Sequence, residues 1–161
     1  MIAVIAELGG RAFVGPSHRE GSPIDRVETV RLLLKAGAPV NDADDAKRTA
    51  LIWAASAYPG GRADPVLLRL LLDAGAKVDA RDATGQTALV YAATSLDAGR
   101  QPGSALSINP EAVCVLLAAG ADPVAPDAQG ETALELARRD RGDRAKQVVQ
   151  LLERPETCGR R

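Results

Sequence analysis

Aromatic residues are scarce in this chain: one Trp, two Tyr and one Phe, 2% of its 161 residues. A core must therefore be built from Ala, Leu and Val, and the small alanines let helices approach closely. Histidine occurs once, as His18, inside the Gly/Pro/Ser-rich stretch between Gly9 and Pro23, which reads as a solvent loop. Gly-x-Ser-x-Gly, a phosphate-cradling glycine loop, His-Glu-x-x-His and Cys-x-x-Cys are all missing, which leaves no recognisable catalytic or cofactor motif. Glycine pairs such as Gly9-Gly10 and Gly60-Gly61 read as turn glycines. The expectation is a chain that is not an enzyme, with no catalytic residues, no metal site and no cofactor.

The two cysteines, Cys114 in an apolar run and Cys158 near the C-terminus, make neither a disulfide framework nor a metal spacing. Cys114 reads as a small core residue, and the pattern fits a reducing compartment. No apolar run approaches the roughly 18 residues of a membrane span. Met1–Leu8 is apolar but lacks a positive start and is interrupted by Glu7, so it reads as a first helix rather than a signal peptide. A cytoplasmic protein with no membrane contact is expected. Net charge is −1 and the pI about 5.9, which argues against nucleic acid as a partner by bulk charge. From Arg138 onward eight basic residues face four acidic ones, either a solvated face or a surface for an acidic partner. Lysine appears only at 35, 47, 77 and 146. With so much alanine, that arginine bias points to a GC-rich bacterial genome.

What the chain does have is repetition. Thr49-Ala50-Leu51 returns as Thr87-Ala88-Leu89 and as Thr132-Ala133-Leu134. Between them stand leucine-rich runs ending in Gly-Ala, at Gly37-Ala38, Gly75-Ala76 and Gly120-Ala121. Each Gly precedes the next Thr by 12 residues (37 to 49, 75 to 87, 120 to 132), whereas Thr precedes the following Gly by 26 residues and then by 33. A connector of fixed length implies structure within it, and one of variable length implies a surface loop.

The motif threonines open short helices by capping the free first-turn amides. Asp64-Pro65 and Asn109-Pro110 start the leucine helices, a polar cap followed by Pro at the first helical position. Ser22-Pro23 or Asp25 starts the helix that ends near Lys35. Each following glycine stops its helix. Within the fixed connector, Asp44, Asp82 and Asp127 stand five residues before the motif Thr, and Gly85 and Gly130 two before it. This placement forms a tight turn. The first copy carries Lys47 in place of the glycine, so a looser or differently shaped turn is expected there.

The pattern Asp-x-x-Gly-x-Thr-x-Leu-x-x-Ala-Ala followed by Leu-Leu-x-x-Gly-Ala resembles the ankyrin repeat, a unit of about 33 residues with a β-turn finger and two antiparallel helices. The resemblance runs from Asp25 to Glu153 and implies an all-α repeat solenoid of antiparallel helix pairs joined by β-turn fingers. We divide it as a partial or degenerate first repeat (1–37), repeats at 38–75, 76–120 and 121–154, and a tail at 155–161. The stretch before Asp25 matches poorly. It is either a degenerate helix (Ile2–Leu8) with a long loop, or a repeat cut short. Where the family has Thr-Pro-Leu-His, this chain has Ala50, Ala88 and Ala133 for Pro, and Ile52, Val90 and Glu135 for His. Stacking is then expected to lean on apolar packing, each buried Leu or Val contributing roughly 1.5–3 kcal/mol.

The resemblance implies a non-catalytic protein-interaction module. Its partner would be another protein, met through the concave face, the fingers and the inserted loops, as a monomer or in a 1:1 hetero-complex. Small bacterial members act as inhibitors or immunity-type neutralisers, and the alternative is an accessory segment of a larger effector or enzyme. Candidate contact residues are Asp45, Arg48 and Arg81 on the fingers, Tyr58 and Arg62 in the shorter insertion, Leu96, Asp97, Arg100 and Leu106 in the longer one, and Arg139. Trp53, Tyr91 and Leu136 share a column four residues after the motif Thr. They either pack between neighbouring helices or form an aromatic strip on the groove floor, and Trp53 and Tyr91 are carried as candidates.

Overall fold

A computed structural model describes residues 26–56, 63–94 and 108–159. Their seven helices are α1 (Arg26–Lys35), α2 (Ala50–Ala55), α3 (Pro65–Asp73), α4 (Ala88–Ala93), α5 (Pro110–Ala118), α6 (Ala133–Ala137) and α7 (Asp143–Glu153), followed by a 3-10 helix, Pro155–Gly159. Among the described residues there is no strand, only one isolated antiparallel bridge between Ala43 and Thr49. The helices form two layers. In the inner layer α2 packs on α4 and α4 on α6. In the outer layer α1 packs on α3, α3 on α5 and α5 on α7, and α2–α3, α4–α5 and α6–α7 pack as pairs between the layers. This is the all-α repeat solenoid that the sequence implies.

The start signals act as the residue types dictate. Asp64 accepts from the Val66 and Leu67 amides, and Asn109 from those of Glu111 and Ala112, each just ahead of a proline. Thr49 caps α2 through the Ile52 amide, and Thr132 forms a reciprocal capping box with Glu135. Thr87 makes no side-chain cap. Ser22-Pro23 and Asp25, the expected start of α1, lie outside the described residues, as do Met1–Leu8 and His18.

Alanine content shapes the inner layer. All six residues of α2 and all six of α4 are buried, which is possible because half of them are alanines and neighbouring short helices nearly touch. Ile52 and Val90 are 1% and 2% exposed, whereas Glu135, at the matching position of α6, is exposed. α2 and α6 both stack on α4, and Glu135 stands on a solvent-facing side of α6.

One expectation is corrected. Cys114 is not an independent core residue. It is half-buried on the outer side of α5 and forms a disulfide with Cys158, across a sequence separation of 44. α7 returns beside α5, and the 3-10 helix then folds onto both, bringing the two sulfurs together. The reducing-compartment reading rested on unpaired thiols, and this pairing removes its support. Polar contacts between units supplement the apolar packing of the stack. Asn41 accepts from the Lys77 amide (2.8 Å) and donates to the Gly75 carbonyl (3.0 Å). Asp79 accepts from the Asp122 amide (3.0 Å), and Asn109 donates to the Ala63 carbonyl (2.8 Å). These contacts join neighbouring units at positions outside the Thr-Ala-Leu motif.

Candidate functional site

The fixed connectors fold into three fingers of one design. In each, the leading aspartate turns its Oδ1 back to accept two amides of its own loop. Asp44 takes Ala46 and Arg48, Asp82 takes Thr84 and Gln86, and Asp127 takes Gln129 and Glu131, all at 2.8–3.0 Å. The Asp82 and Asp127 carboxylates are buried, at 8% exposure each. Gly85 and Gly130 adopt φ of 79° and 82°, and Lys47 adopts 60°. The first turn is therefore not looser. Lys47 takes the left-handed conformation that the glycines take, and its amide donates to the Asp44 carbonyl (2.8 Å) as Gly85 does to Asp82 (3.0 Å). The turn imposes its geometry on a residue that does not favour it.

Neighbouring fingers are joined by backbone. Ala83 N–H donates to the Ala46 carbonyl (2.8 Å), and Ala128 N–H to the Thr84 carbonyl (3.1 Å). Arg81 adds a side-chain bridge, donating to the Gly85 carbonyl (3.2 Å) in its own finger and to the Pro126 carbonyl in the next. The three fingers form one linked row rather than three independent loops.

The aromatic column ties this row to the inner helices. The Tyr91 hydroxyl donates to Asp82 Oδ2 at 2.6 Å, and Trp53 Nε1 donates to Asp44 Oδ2 at 3.2 Å. Arg48 also donates to Asp44 Oδ2 (2.9 Å), and its guanidinium lies 4.1 Å from the Trp53 ring centroid, where charge and ring face attract. Trp53 and Tyr91 are only 6% and 5% exposed, which is the packed alternative of the two and not the strip on the groove floor. Their polar edges are spent on finger aspartates. Burial first, then the hydrogen bond to Asp82, pushes the Tyr91 phenol far above its ordinary value. In the third copy Leu136 occupies the column and has no group to donate. There Glu131 binds Arg139 (2.9 Å through Nη1), which holds the guanidinium above its usual range, and the Thr132 amide and hydroxyl lower the Glu135 carboxyl.

Of the remaining candidates, Asp45 and Arg81 are exposed, Arg139 is exposed but held by Glu131, and Arg48 is half-buried over Trp53. Tyr58, Arg62, Leu96, Asp97, Arg100 and Leu106 lie outside the described residues. The flanks of the longer insertion are fixed, however. Thr94 and Ile108 are 2% and 1% exposed, and the Asn109 amide donates to the Ala92 carbonyl (3.2 Å). Asn41 and Asp79, each eight residues before a motif Thr, lie on the expected fingers, but their role in joining units was not among the expectations. Their shared position was the signal.

A second concavity lies on the outer layer. It is an open groove of about 1280 Å³ between α3, α5, α7 and the 3-10 helix, with Arg69, Asp73, Gln150 and Arg154 among its walls and both cysteines in its lining. Among the described residues no group of three His, Cys, Asp or Glu side chains is placed to hold a metal ion, and no helix is long and apolar enough to cross a membrane.

A family model described as ankyrin repeats matches residues 24–125, in 3 copies. The third finger, α6 and α7 continue the same turn and helix order beyond that match. No curated protein matches the chain.

Proposed function

The chain belongs to the ankyrin repeat family, and on that premise we propose that it binds one partner protein through its linked finger row, with no reaction of its own. Ankyrin repeats are generally protein–protein interaction modules. What supports the finger row as the contact surface here is its preorganisation. Three turns are each closed by an aspartate, joined by backbone hydrogen bonds and, in two cases, tied to a buried aromatic. A surface held in one conformation loses little entropy on binding. The side chains it offers are Asp45, Lys47, Ala83 and Gln129, all exposed, with Arg48, Arg81 and Arg139 held beside them. The longer insertion, with Leu96, Asp97, Arg100 and Leu106, is proposed as a second contact element, since its flanks at Thr94 and Ile108 are anchored in the core.

The test is comparative capture from the source organism with the intact chain and two variants. One carries Asp45→Arg, Ala83→Arg and Gln129→Arg together, and the other has residues 96–106 replaced by a short turn. Both should keep the circular dichroism of the parent. A single stoichiometric protein lost with the finger variant supports the reading, and its loss with the loop variant adds the insertion to the contact. A partner retained at full affinity by both variants would overturn it.

A further inference from the structure

The disulfide sits where a structural staple has little reason to be. Cys114 and Cys158 both line the open outer groove and are half-buried, so a small thiol has a path to the bond. The 3-10 helix that carries Cys158 packs on α5 and α7, but none of the side chains at 155–158 is buried there. Pro155, Glu156 and Thr157 are exposed. Its hydrogen bonds from Thr157 N–H (3.0 Å) and Oγ1 (2.8 Å) end on the Arg154 carbonyl, inside the same turn. What attaches it to α5 is the disulfide and the packing of Cys158 beside the core. α5 itself does not depend on that attachment. Ala112, Val113 and Leu116 are all 0% exposed, on a helix that also packs against α3, α4 and α7.

We propose that Cys114–Cys158 is a redox clasp: reduction by a low-molecular-weight thiol releases the 3-10 helix from α5 and widens the outer groove, while the two-layer stack stays folded. One thiolate attacks a sulfur of the pair, forming a mixed disulfide and freeing one cysteine. A second small thiolate attacks the small thiol's sulfur in that mixed disulfide and expels the remaining cysteine thiolate, leaving two cysteine thiols and one oxidised thiol dimer. The two small thiols thus supply the two electrons and two protons that the protein pair takes up. Release uncovers the outer side of α5 at Cys114 and Val115, half-buried and 8% exposed in the oxidised form, beside Glu111 and Ala118, which are exposed in both forms.

The experiment is amide hydrogen exchange on the full chain in glutathione buffers poised oxidised and reduced, with a C114S/C158S double variant as a chemically independent arm. In the oxidised protein the amides of residues 156–159 are protected. On reduction, and in the double variant, they exchange roughly tenfold faster or more, the change reverses on reoxidation, and α2–α5 are unaltered. Equal protection of 156–159 in both states would overturn the clasp. So would loss of protection in α5 and α7 together with it, which would make the bond a staple for the whole end of the stack. Failure of the two thiols to form a disulfide in oxidised glutathione would also overturn it.

Discussion

Replacing Tyr91 by Phe isolates the tie between finger and inner helix. The ring stays in its site and only the hydroxyl is lost, together with a 2.6 Å bond to Asp82 Oδ2 between groups 5% and 8% exposed. A hydrogen bond to a charged acceptor contributes about 1.5–3 kcal/mol, and burial leaves water little room to replace it. Tyr91→Phe is therefore expected to cost about 2 kcal/mol, near 30-fold in the folded-to-unfolded ratio. Urea unfolding reads this as a lower midpoint at unchanged slope. A cycle with Asp82→Asn should give a coupling above about 1 kcal/mol. The same bond has a pH signature. The phenol is raised above its ordinary value of 10.0 in the folded chain, so its stabilisation is complete below about pH 10 and declines as pH rises beyond the unfolded value. Tyr91→Phe removes that part of the alkaline decline. A loss under about 0.5 kcal/mol, the scatter of neutral surface changes, or no coupling with Asp82, would refute the reasoning.

The finger turns give two further tests. A Cβ on Gly85 would lie 2.6 Å from the Ala128 amide nitrogen, whereas one on Gly130 meets nothing within 4 Å. Gly130→Ala is then expected to cost only the left-handed backbone term of about 1–2 kcal/mol, while Gly85→Ala costs roughly 3 kcal/mol by adding a clash with the next finger. Equal losses in thermal or urea unfolding would contradict this. Lys47→Gly relieves the same backbone term but adds chain entropy to the unfolded state, so a net gain of about 0.5–1 kcal/mol is expected, and a lower midpoint for that variant would show the turn to be unstrained.

Much of the fold was legible because its signals are local. Asp64-Pro65 and Asn109-Pro110 start helices, the glycines after the leucine runs end them, and an aspartate five residues before each motif threonine closes a turn. None of these depends on distant chain. The finger row was half legible. Asp44, Asp82 and Asp127 were readable as structural, yet the bonds of two of them to Trp53 and Tyr91 were not, although the aspartate-to-aromatic spacing is nine in both copies. Spacing reveals which residues share a column but not which way a ring edge turns. Lys47 misled because composition reports what a residue prefers, and the surrounding turn decides what it adopts. The Cys114–Cys158 bond joins two helices brought together only by the stack, so no local pattern announces it. The insertions carry half of the candidate contact residues and have no repeat to constrain them.

The most direct test of the finger row as the binding surface is amine cross-linking of the captured complex, read by mass spectrometry. The chain's lysines, at 35, 47, 77 and 146, sit at separate places: Lys47 in the first finger, Lys77 at the foot of the second, Lys35 at the end of α1 and Lys146 on α7. All four are exposed, so reactivity alone does not favour one. The account predicts partner cross-links at Lys47 and Lys77. Cross-links confined to Lys146 and Lys35 would place the partner on the outer layer and contradict it.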